Sequence, residues 1–159
     1  MAVEVGTRAE GVTSVPNPLR AGLDSNRIPD PCNIVFFGAS GDLMKRMLLP
    51  AMYNLRLGDI LPTNFGIVGF SRSDKSHYDF RDEMKAAIDE FSRSGEARDP
   101  LWSDFANRLH YISGSFDDLD AFKALKAQLE DNDEKLGTGG NRLYYLSTPP
   151  TVFGKIVQQ

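Results

Sequence analysis

Short, continuously apolar runs alternate along the chain with longer segments in which apolar residues recur at every third or fourth position. Unbroken apolar runs are typical of strands that are buried on both faces of a sheet. They predict strands over 32–37, 64–71, 109–113 and 142–146. Because segments with helical periodicity separate them, consecutive strands are predicted to run parallel. We therefore expect an α/β fold, a Rossmann-like doubly wound parallel sheet in a three-layer αβα arrangement.

The periodic segments predict where the helices lie and which residues they bury. The first helix follows the first strand and ends at Gly58, and Pro50 within it removes one intrahelical hydrogen bond, so we expect a bend there. The other elements are a second helix ending near Phe91, helices over 101–108, 117–129 and 150–159, and a charged, glycine-rich loop over 131–140. The residues predicted to face the core are Leu43, Met47, Leu48, Ala51, Met52 and Leu55 in the first helix, Phe80, Met84, Ala87, Ile88 and Phe91 in the second, and Leu119, Phe122, Leu125 and Leu129 in the helix over 117–129.

The N-terminal part differs from the rest in composition. Residues 1–31 are polar, contain several prolines and show little periodicity, which is typical of a flexible arm. Residues 32–159 are predicted to form one domain, which is long enough to bury a sizeable core. The last segment begins a helix without a terminal capping signal, so we expect this domain to be incomplete at its C-terminal end.

Composition and charge narrow the classes of partner. The formal net charge is -4 and the pI is about 5.2, so we expect no binding to nucleic acid or to an anionic membrane. No apolar run has the length of a membrane span and the N-terminus lacks a signal pattern, which favours a cytoplasmic protein. The single cysteine, Cys32, excludes an internal disulfide and is predicted to be an inert core thiol, and no metal site is predicted.

A candidate ligand site begins where the first strand ends. Gly38 and Gly41 lie between this strand and the first helix, in the outline of a strand, a tight turn and a helix. Glycine lets the backbone approach a ligand closely, and the free N–H groups of a helix's first turn attract phosphate. No Lys-Ser/Thr pair follows the glycines, which excludes a P-loop. Leu43 stands where a dinucleotide fingerprint has a third glycine, so a plain tight turn is an equal alternative at this point.

Three longer motifs resemble a known family. The segment 38–50, Gly-Ala-Ser-Gly-Asp-Leu-Met-Lys-Arg-Met-Leu-Leu-Pro, is similar to the coenzyme-binding opening of the glucose-6-phosphate dehydrogenases. The segments 67–73 and 141–153 resemble the same family in the same order, and 17–20 resembles bacterial members with extended N-termini. This resemblance, from about residue 33 to the end, implies the NADP-binding domain of an oxidoreductase. That family oxidises glucose 6-phosphate to 6-phosphogluconolactone, in the first step of the pentose phosphate pathway.

Arg72 is the candidate that determines which coenzyme is bound. It follows the second predicted strand, where the adenosine ribose lies in Rossmann domains, and no Asp or Glu occurs between Ile60 and Ser73. A cation at this position favours the 2′-phosphate of NADP over the free ribose hydroxyls of NAD. One such contact corresponds to roughly a ten- to hundredfold preference. The alternative is a solvated loop arginine.

The resemblance also implies a set of coenzyme-binding residues, each with a simpler structural alternative. The alternative for Asp42 is that it only starts the helix, and the alternative for Lys45 and Arg46 is that they only face solvent. Met44 departs from the family pattern, which has a small or hydroxyl residue at this position. Gly114 and Ser115 have the alternative role of a turn at a strand end. The implied residues are Gly38, Ala39, Ser40, Gly41, Asp42, Leu43, Met44, Lys45, Arg46, Arg72, Gly114, Ser115 and Tyr145.

The sequence offers no candidate for the catalytic base. Its only histidines, His77 and His110, match no catalytic position of the family. The resemblance implies that the catalytic residues lie beyond the end of this chain, so we expect no catalytic residue here, an inactive isolated chain and a homo-oligomeric full-length enzyme. The alternative is a stand-alone, non-catalytic NADP-binding sensor or interaction module. A short-chain dehydrogenase is excluded, because none of the tyrosines has a lysine four positions later.

Overall fold

A computed structural model describes residues 28–159 of the chain. Its four strands are β1 (Cys32–Phe37), β2 (Phe65–Ser71), β3 (Leu109–Ser113) and β4 (Arg142–Leu146). All neighbouring pairs are parallel and the order in the sheet is β3-β2-β1-β4. The chain moves outwards from β1 through β2 to β3 and then returns to the other side of β1. The predicted N-terminal arm falls on residues 1–27, outside the described residues, and on positions 28–31, and it stays a prediction.

Helices cover both faces of this sheet. They are α1 (Leu49–Leu57), α2 (His77–Phe91), α3 (Leu101–Asn107), α4 (Leu119–Leu136) and α5 (Phe153–Val157), with a π-helical turn at Met44–Leu48 and a 3₁₀ turn at Pro150–Val152. One core cluster joins Ile34 and Phe36 of β1 to α1, α2 and α3, and a second joins Val35 and Phe37 to α4 and α5. Successive strand residues point to opposite faces, so β1 and β2 contribute to both clusters. The predicted three-layer, Rossmann-like αβα fold is confirmed.

The first helix buries a different face from the one that the sequence predicts. Leu43, Met47 and Leu55 are exposed rather than inward, and Ala51 is exposed as well. The buried residues are Met44, Leu49, Pro50 and Tyr53, while Leu48 and Met52 are only partly buried.

The π-helical turn at Met44–Leu48 changes which face is buried in the residues that follow it. In this turn the Leu49 N–H bonds to the Met44 carbonyl, five residues back rather than four. The wider turn adds one residue and rotates the remaining helix relative to a regular α-helical pattern. Pro50 lacks an N–H and falls at the start of the next helical segment, where none is needed.

The predicted loop over 131–140 is partly wrong, because α4 continues to Leu136. Its last turns carry polar residues that the sequence pattern alone assigns to a loop. Asn132 is buried and donates to Asn33 Oδ1 of β1 (2.8 Å), and Asn33 donates to Thr138 Oγ1 (2.7 Å). These tertiary hydrogen bonds fix the end of α4 against the sheet. At its other end Leu119 is 55% exposed, contrary to its predicted inward position.

Candidate functional site

The glycine turn lies at the carboxyl end of β1. Gly38 has φ 87°, a backbone conformation that residues other than glycine rarely adopt. A Cβ atom there would lie 2.5 Å from the Ser147 carbonyl oxygen, so glycine is required by space as well. The N–H groups of Gly38 and Ala39 both donate to the Phe70 carbonyl (2.8 and 3.2 Å), and the Gly41 N–H donates to the Gly38 carbonyl (3.0 Å).

Neighbouring strands hold this turn on both sides. On the β2 side, the Ser40 and Ser71 hydroxyl oxygens lie 2.6 Å apart in a hydrogen bond. On the β4 side, the Ser147 N–H and hydroxyl both donate to the Phe37 carbonyl (3.0 and 2.6 Å). The turn therefore occupies the point where the strand order reverses between β1 and β4. Ligands of open α/β sheets bind in this crevice, outside the carboxyl ends of the strands.

The turn and the helix behind it expose only some of the predicted residues. Gly41, Asp42 and Leu43 are exposed, whereas Ala39 and the Met44 side chain are fully buried in the core. Both residues lie wholly below the surface, backbone included, and the structure exposes neither of them to a ligand in the crevice. Asp42 lies at the start of the helical segment and pairs with Arg46 (2.8 Å), and the helix-starting role is compatible with this placement.

The two basic residues behind the turn have different surroundings. The Arg46 guanidinium lies 5.2 Å from the centre of the Phe91 ring, and its side chain is 60% exposed. Lys45 is less exposed and its ammonium lies 2.5 Å from Glu83 Oε1 of α2. Both basic residues thus pair with a carboxylate, but the pair between Arg46 and Asp42 is largely exposed, whereas Lys45 and Glu83 are only partly exposed.

Arg72 directly follows β2 and its side chain is exposed. It joins none of the ion pairs formed within residues 28–159. The Ser73 carbonyl behind it accepts hydrogen bonds from Tyr111 Oη (2.8 Å) and Ser113 Oγ (3.1 Å), so β3 fixes the loop that carries Arg72. The guanidinium is therefore presented to solvent from an anchored backbone.

The predicted residues at the ends of β3 and β4 are less specific. A Cβ at Gly114 would lie 2.2 Å from Ala121 Cβ, so packing against α4 alone accounts for this glycine. The Ser115 hydroxyl donates to the Asp117 carboxylate. Tyr145 is 42% exposed and its ring centre lies 5.6 Å from that of Phe36. A turn at the end of β3 is thus enough to explain why Gly114 and Ser115 occur there. Tyr145 of β4 has its ring partly exposed at the surface.

Both histidines have structural partners. The Tyr111 N–H donates to His77 Nδ1 (2.9 Å), and the His77 and His110 rings meet edge to face with centres 5.7 Å apart. Burial, followed by the charges of His77 and Arg81, lowers the pKa of His110 to about 4. His110 is therefore neutral near pH 7.

Sequence reasoning missed the link between Lys75 and Glu83, whose Nζ and Oε2 atoms lie 2.5 Å apart. Eight residues separate them along the chain and Lys75 precedes α2, so no helical spacing signals the contact.

A cavity of about 650 Å³ lies between α4, α5 and β4, on the sheet face that α4 and α5 cover, and none of the predicted coenzyme residues lines it. Within residues 28–159 there is no cluster of metal-ligating side chains and no helix long and apolar enough to cross a membrane.

Comparison with known proteins supplies the family. The model of the glucose-6-phosphate dehydrogenase NAD binding domain matches residues 35–159. The chain is 46% identical over 147 residues to glucose-6-phosphate 1-dehydrogenase of Chlamydia pneumoniae, covering 92% of this chain and 28% of that protein. It is 39% identical over 153 residues to glucose-6-phosphate 1-dehydrogenase 2 of Mycobacterium tuberculosis, covering 95% of this chain and 30% of that protein.

Solved structures agree with these sequence matches. A glucose-6-phosphate dehydrogenase in complex with its substrate glucose-6-phosphate matches with a TM-score of 0.71 and 28% identity, over 82% of this chain and 27% of that one. The enzyme from Mycobacterium avium matches with a TM-score of 0.67 and 27% identity, over 80% of this chain and 26% of that one. The chain thus spans between a quarter and a third of the length of these relatives. It belongs to the glucose-6-phosphate dehydrogenase family, within which it corresponds to the coenzyme-binding domain.

Proposed function

We propose that this chain binds NADP⁺ at the carboxyl edge of its sheet and forms the coenzyme-binding domain of a glucose-6-phosphate dehydrogenase. The observation that carries the proposal is the glycine turn, with Gly38 at positive φ where the strand order reverses. Gly41 is exposed and leaves the backbone open to close approach by a pyrophosphate. Family membership supports the same assignment.

The proposed coenzyme contacts extend from this turn across the edge of the sheet. Segment 38–46 would hold the pyrophosphate through its exposed residues, and the wholly buried Ala39 and Met44 would support the turn from the core. Gly114 and Ser115 follow β3, and Tyr145 lies near the end of β4, where it would border the nicotinamide. The bound coenzyme would accept a hydride from C1 of glucose 6-phosphate, which yields 6-phosphogluconolactone.

Arg72 is proposed to select NADP⁺ over NAD⁺. Its exposed guanidinium follows β2, and the β2 residues before it carry no carboxylate that would instead bind the ribose hydroxyls. Arginine is suited to this role because its planar group donates two parallel hydrogen bonds to a phosphate. Loop anchoring through Ser73 reduces the entropy that is lost when the guanidinium binds.

The test is a calorimetric titration of the 159-residue chain with NADP⁺ and NAD⁺. We expect tighter binding of NADP⁺, and Arg72→Ala should weaken NADP⁺ binding about tenfold while leaving NAD⁺ binding unchanged. Arg93→Ala serves as the matched control, because Arg93 is also an exposed arginine but follows the far end of α2. Equal affinity for both nucleotides, or equal effects of the two substitutions, would contradict the role of Arg72.

We further propose that catalysis requires the remainder of the enzyme. Both histidines of this chain have structural partners, since His77 accepts a hydrogen bond from the Tyr111 N–H and its ring contacts that of His110, and neither matches a catalytic position of the family. Incubation with glucose 6-phosphate and NADP⁺ should therefore produce no NADPH. The full-length enzyme is proposed to be a cytoplasmic homo-oligomer. If a chain of this length binds NADP⁺ in cells without any partner polypeptide, the alternative function as a non-catalytic NADP-binding module is favoured.

A further inference from the structure

The loop between β2 and α2, residues 72–75, is anchored at both ends and in its middle. It leaves β2 at Arg72, and the Ser73 carbonyl is held by two hydroxyls of β3. At its other end Ser76 caps α2 reciprocally with Asp79: the Ser76 N–H donates to the Asp79 carboxylate (3.0 Å) and the Asp79 N–H donates to Ser76 Oγ (3.1 Å). A loop with these anchors presents its side chains in a fixed arrangement.

One carboxylate connects this loop to the segment behind the glycine turn. Glu83 of α2 lies 2.5 Å from Lys75 Nζ through Oε2 and 2.5 Å from Lys45 Nζ through Oε1. Burial alone would raise the pKa of Glu83, but the hydrogen bonds from Lys45 and Lys75 outweigh it and lower the pKa. Two ammonium groups therefore share one carboxylate, and a surplus positive charge remains between the two ligand-facing segments.

We propose that Lys75 is a second cation for the 2′-phosphate of the coenzyme, beside Arg72, and that Glu83 positions it. This inference rests on the proposed NADP⁺ site. Lys75 lies three residues after Arg72, so their Cα atoms are at most about 11 Å apart, within reach of one phosphate for two long side chains. A phosphate monoester carries more than one negative charge near neutral pH, so it is bound more tightly by two cations than by one.

The ion pairs themselves explain little of the domain's stability. All three side chains are partly exposed, at 22% for Lys75, 33% for Lys45 and 28% for Glu83, and such pairs contribute little to folding. The arrangement instead fixes where the ammonium groups lie. Asp74, the carboxylate of the loop itself, is exposed and joins no ion pair within residues 28–159. Hydrogen bonds from Ser76 and, less strongly, the charge of Lys75 lower the pKa of Asp79, but Asp79 bonds to Ser76 and not to Lys75. Glu83 is thus the carboxylate that pairs directly with Lys75.

The experiment compares two nucleotides that differ only by the 2′-phosphate, adenosine 2′,5′-bisphosphate and adenosine 5′-monophosphate. Their dissociation constants are measured by calorimetry for the unchanged chain and for Lys75→Gln, Lys75→Arg and Lys85→Gln. Lys85 is the matched control, because it is also a lysine paired with a carboxylate of α2, but its partner is Asp89 (3.0 Å) and not Glu83. Urea unfolding of each variant verifies that it is folded.

We expect Lys75→Gln to weaken binding of the bisphosphate about three- to tenfold and to leave binding of the monophosphate unchanged. Lys75→Arg should preserve the preference, since it keeps the charge, and Lys85→Gln should change neither constant. Equal weakening of both nucleotides by Lys75→Gln, or no weakening of either, would overturn the role of Lys75.

Glu83→Gln tests the positioning role separately. It should weaken binding of the bisphosphate about threefold at an unchanged urea midpoint, because the ammonium is no longer held in place. Tighter binding would mean that Glu83 only competes with phosphate for the lysines, and it would overturn the positioning role. If the unchanged chain does not prefer the bisphosphate, the proposed NADP⁺ function itself fails. If Arg72→Ala removes the preference and Lys75→Gln does not, only the inference about Lys75 fails.

Discussion

Replacing Gly38 by alanine perturbs the coenzyme turn at the position that the structure constrains most. The backbone there has φ 87°, which costs an L-amino acid about 1–2 kcal/mol relative to glycine. The new Cβ would also lie 2.5 Å from the Ser147 carbonyl oxygen and 3.1 Å from Thr148 Cγ2. Relieving contacts of this kind costs a further amount of about 1–3 kcal/mol, because the segment that follows β4 must move. The total expected loss of unfolding free energy is therefore about 2–5 kcal/mol.

Two other glycines separate the conformational cost from the steric one. Gly139 has φ 67°, but a Cβ atom added there would meet no other atom within 4 Å, so Gly139→Ala should cost only the conformational share of about 1–2 kcal/mol. Gly154 lies in α5 with open space around it, and Gly154→Ala should be neutral or stabilising by up to about 1 kcal/mol. Urea unfolding followed by circular dichroism measures all three. If Gly38→Ala costs no more than Gly139→Ala, the steric contact with Ser147 is not a real constraint.

Two further predictions concern pH. Burial lowers the pKa of His110 to about 4, so between about pH 6.5 and 4 the folded protein binds fewer protons than the unfolded chain and loses stability as the pH falls. The variant His110→Gln should therefore lose less stability on acidification through that window. NMR titration should show no protonation of His110 above about pH 5. Hydrogen bonds from Arg142 hold the pKa of Asp133 well below its usual range, so this carboxylate stabilises the fold above about pH 4 and the stabilisation is lost on further acidification. Asp133→Asn should cost about 1–3 kcal/mol at pH 7 in urea unfolding and remove that part of the acid dependence; an unchanged acid limb would argue against the ion pair.

The strands were predictable because each one is a local, continuous apolar run. β1, β3 and β4 begin and end where the pattern predicts, and β2 begins one residue later, at Phe65. Burial on both faces explains the apolar runs of the central strands β1 and β2. It does not explain that of β4, an edge strand in which Leu143, Tyr144 and Tyr145 are exposed. The glycine turn was predictable for a similar reason, since Gly38 marks a backbone conformation that is local to the strand end.

The buried face of the first helix was not predictable from spacing. One π-helical hydrogen bond, from the Leu49 N–H to the Met44 carbonyl, changes the rotation of every later residue. The length of α4 was hidden for another reason, because Asn132 reads as a loop residue until Asn33 supplies its partner. Both features depend on which groups meet in space.

The same distinction separates the candidate site into two parts. Local sequence was sufficient to predict the fold class and the family, because strand propensity, turn chemistry and motif order are all properties of neighbouring residues. The coenzyme role of segment 38–46 and Arg72 stays a prediction. The packed fold was needed to show that Met44 turns its side chain into the core and that Gly114 is required for packing against Ala121. It was also needed to join Lys45 and Lys75 through Glu83, since these residues come from three separate segments. Side-chain contacts between distant segments depend on how the helices and strands pack, and the local sequence does not determine that packing.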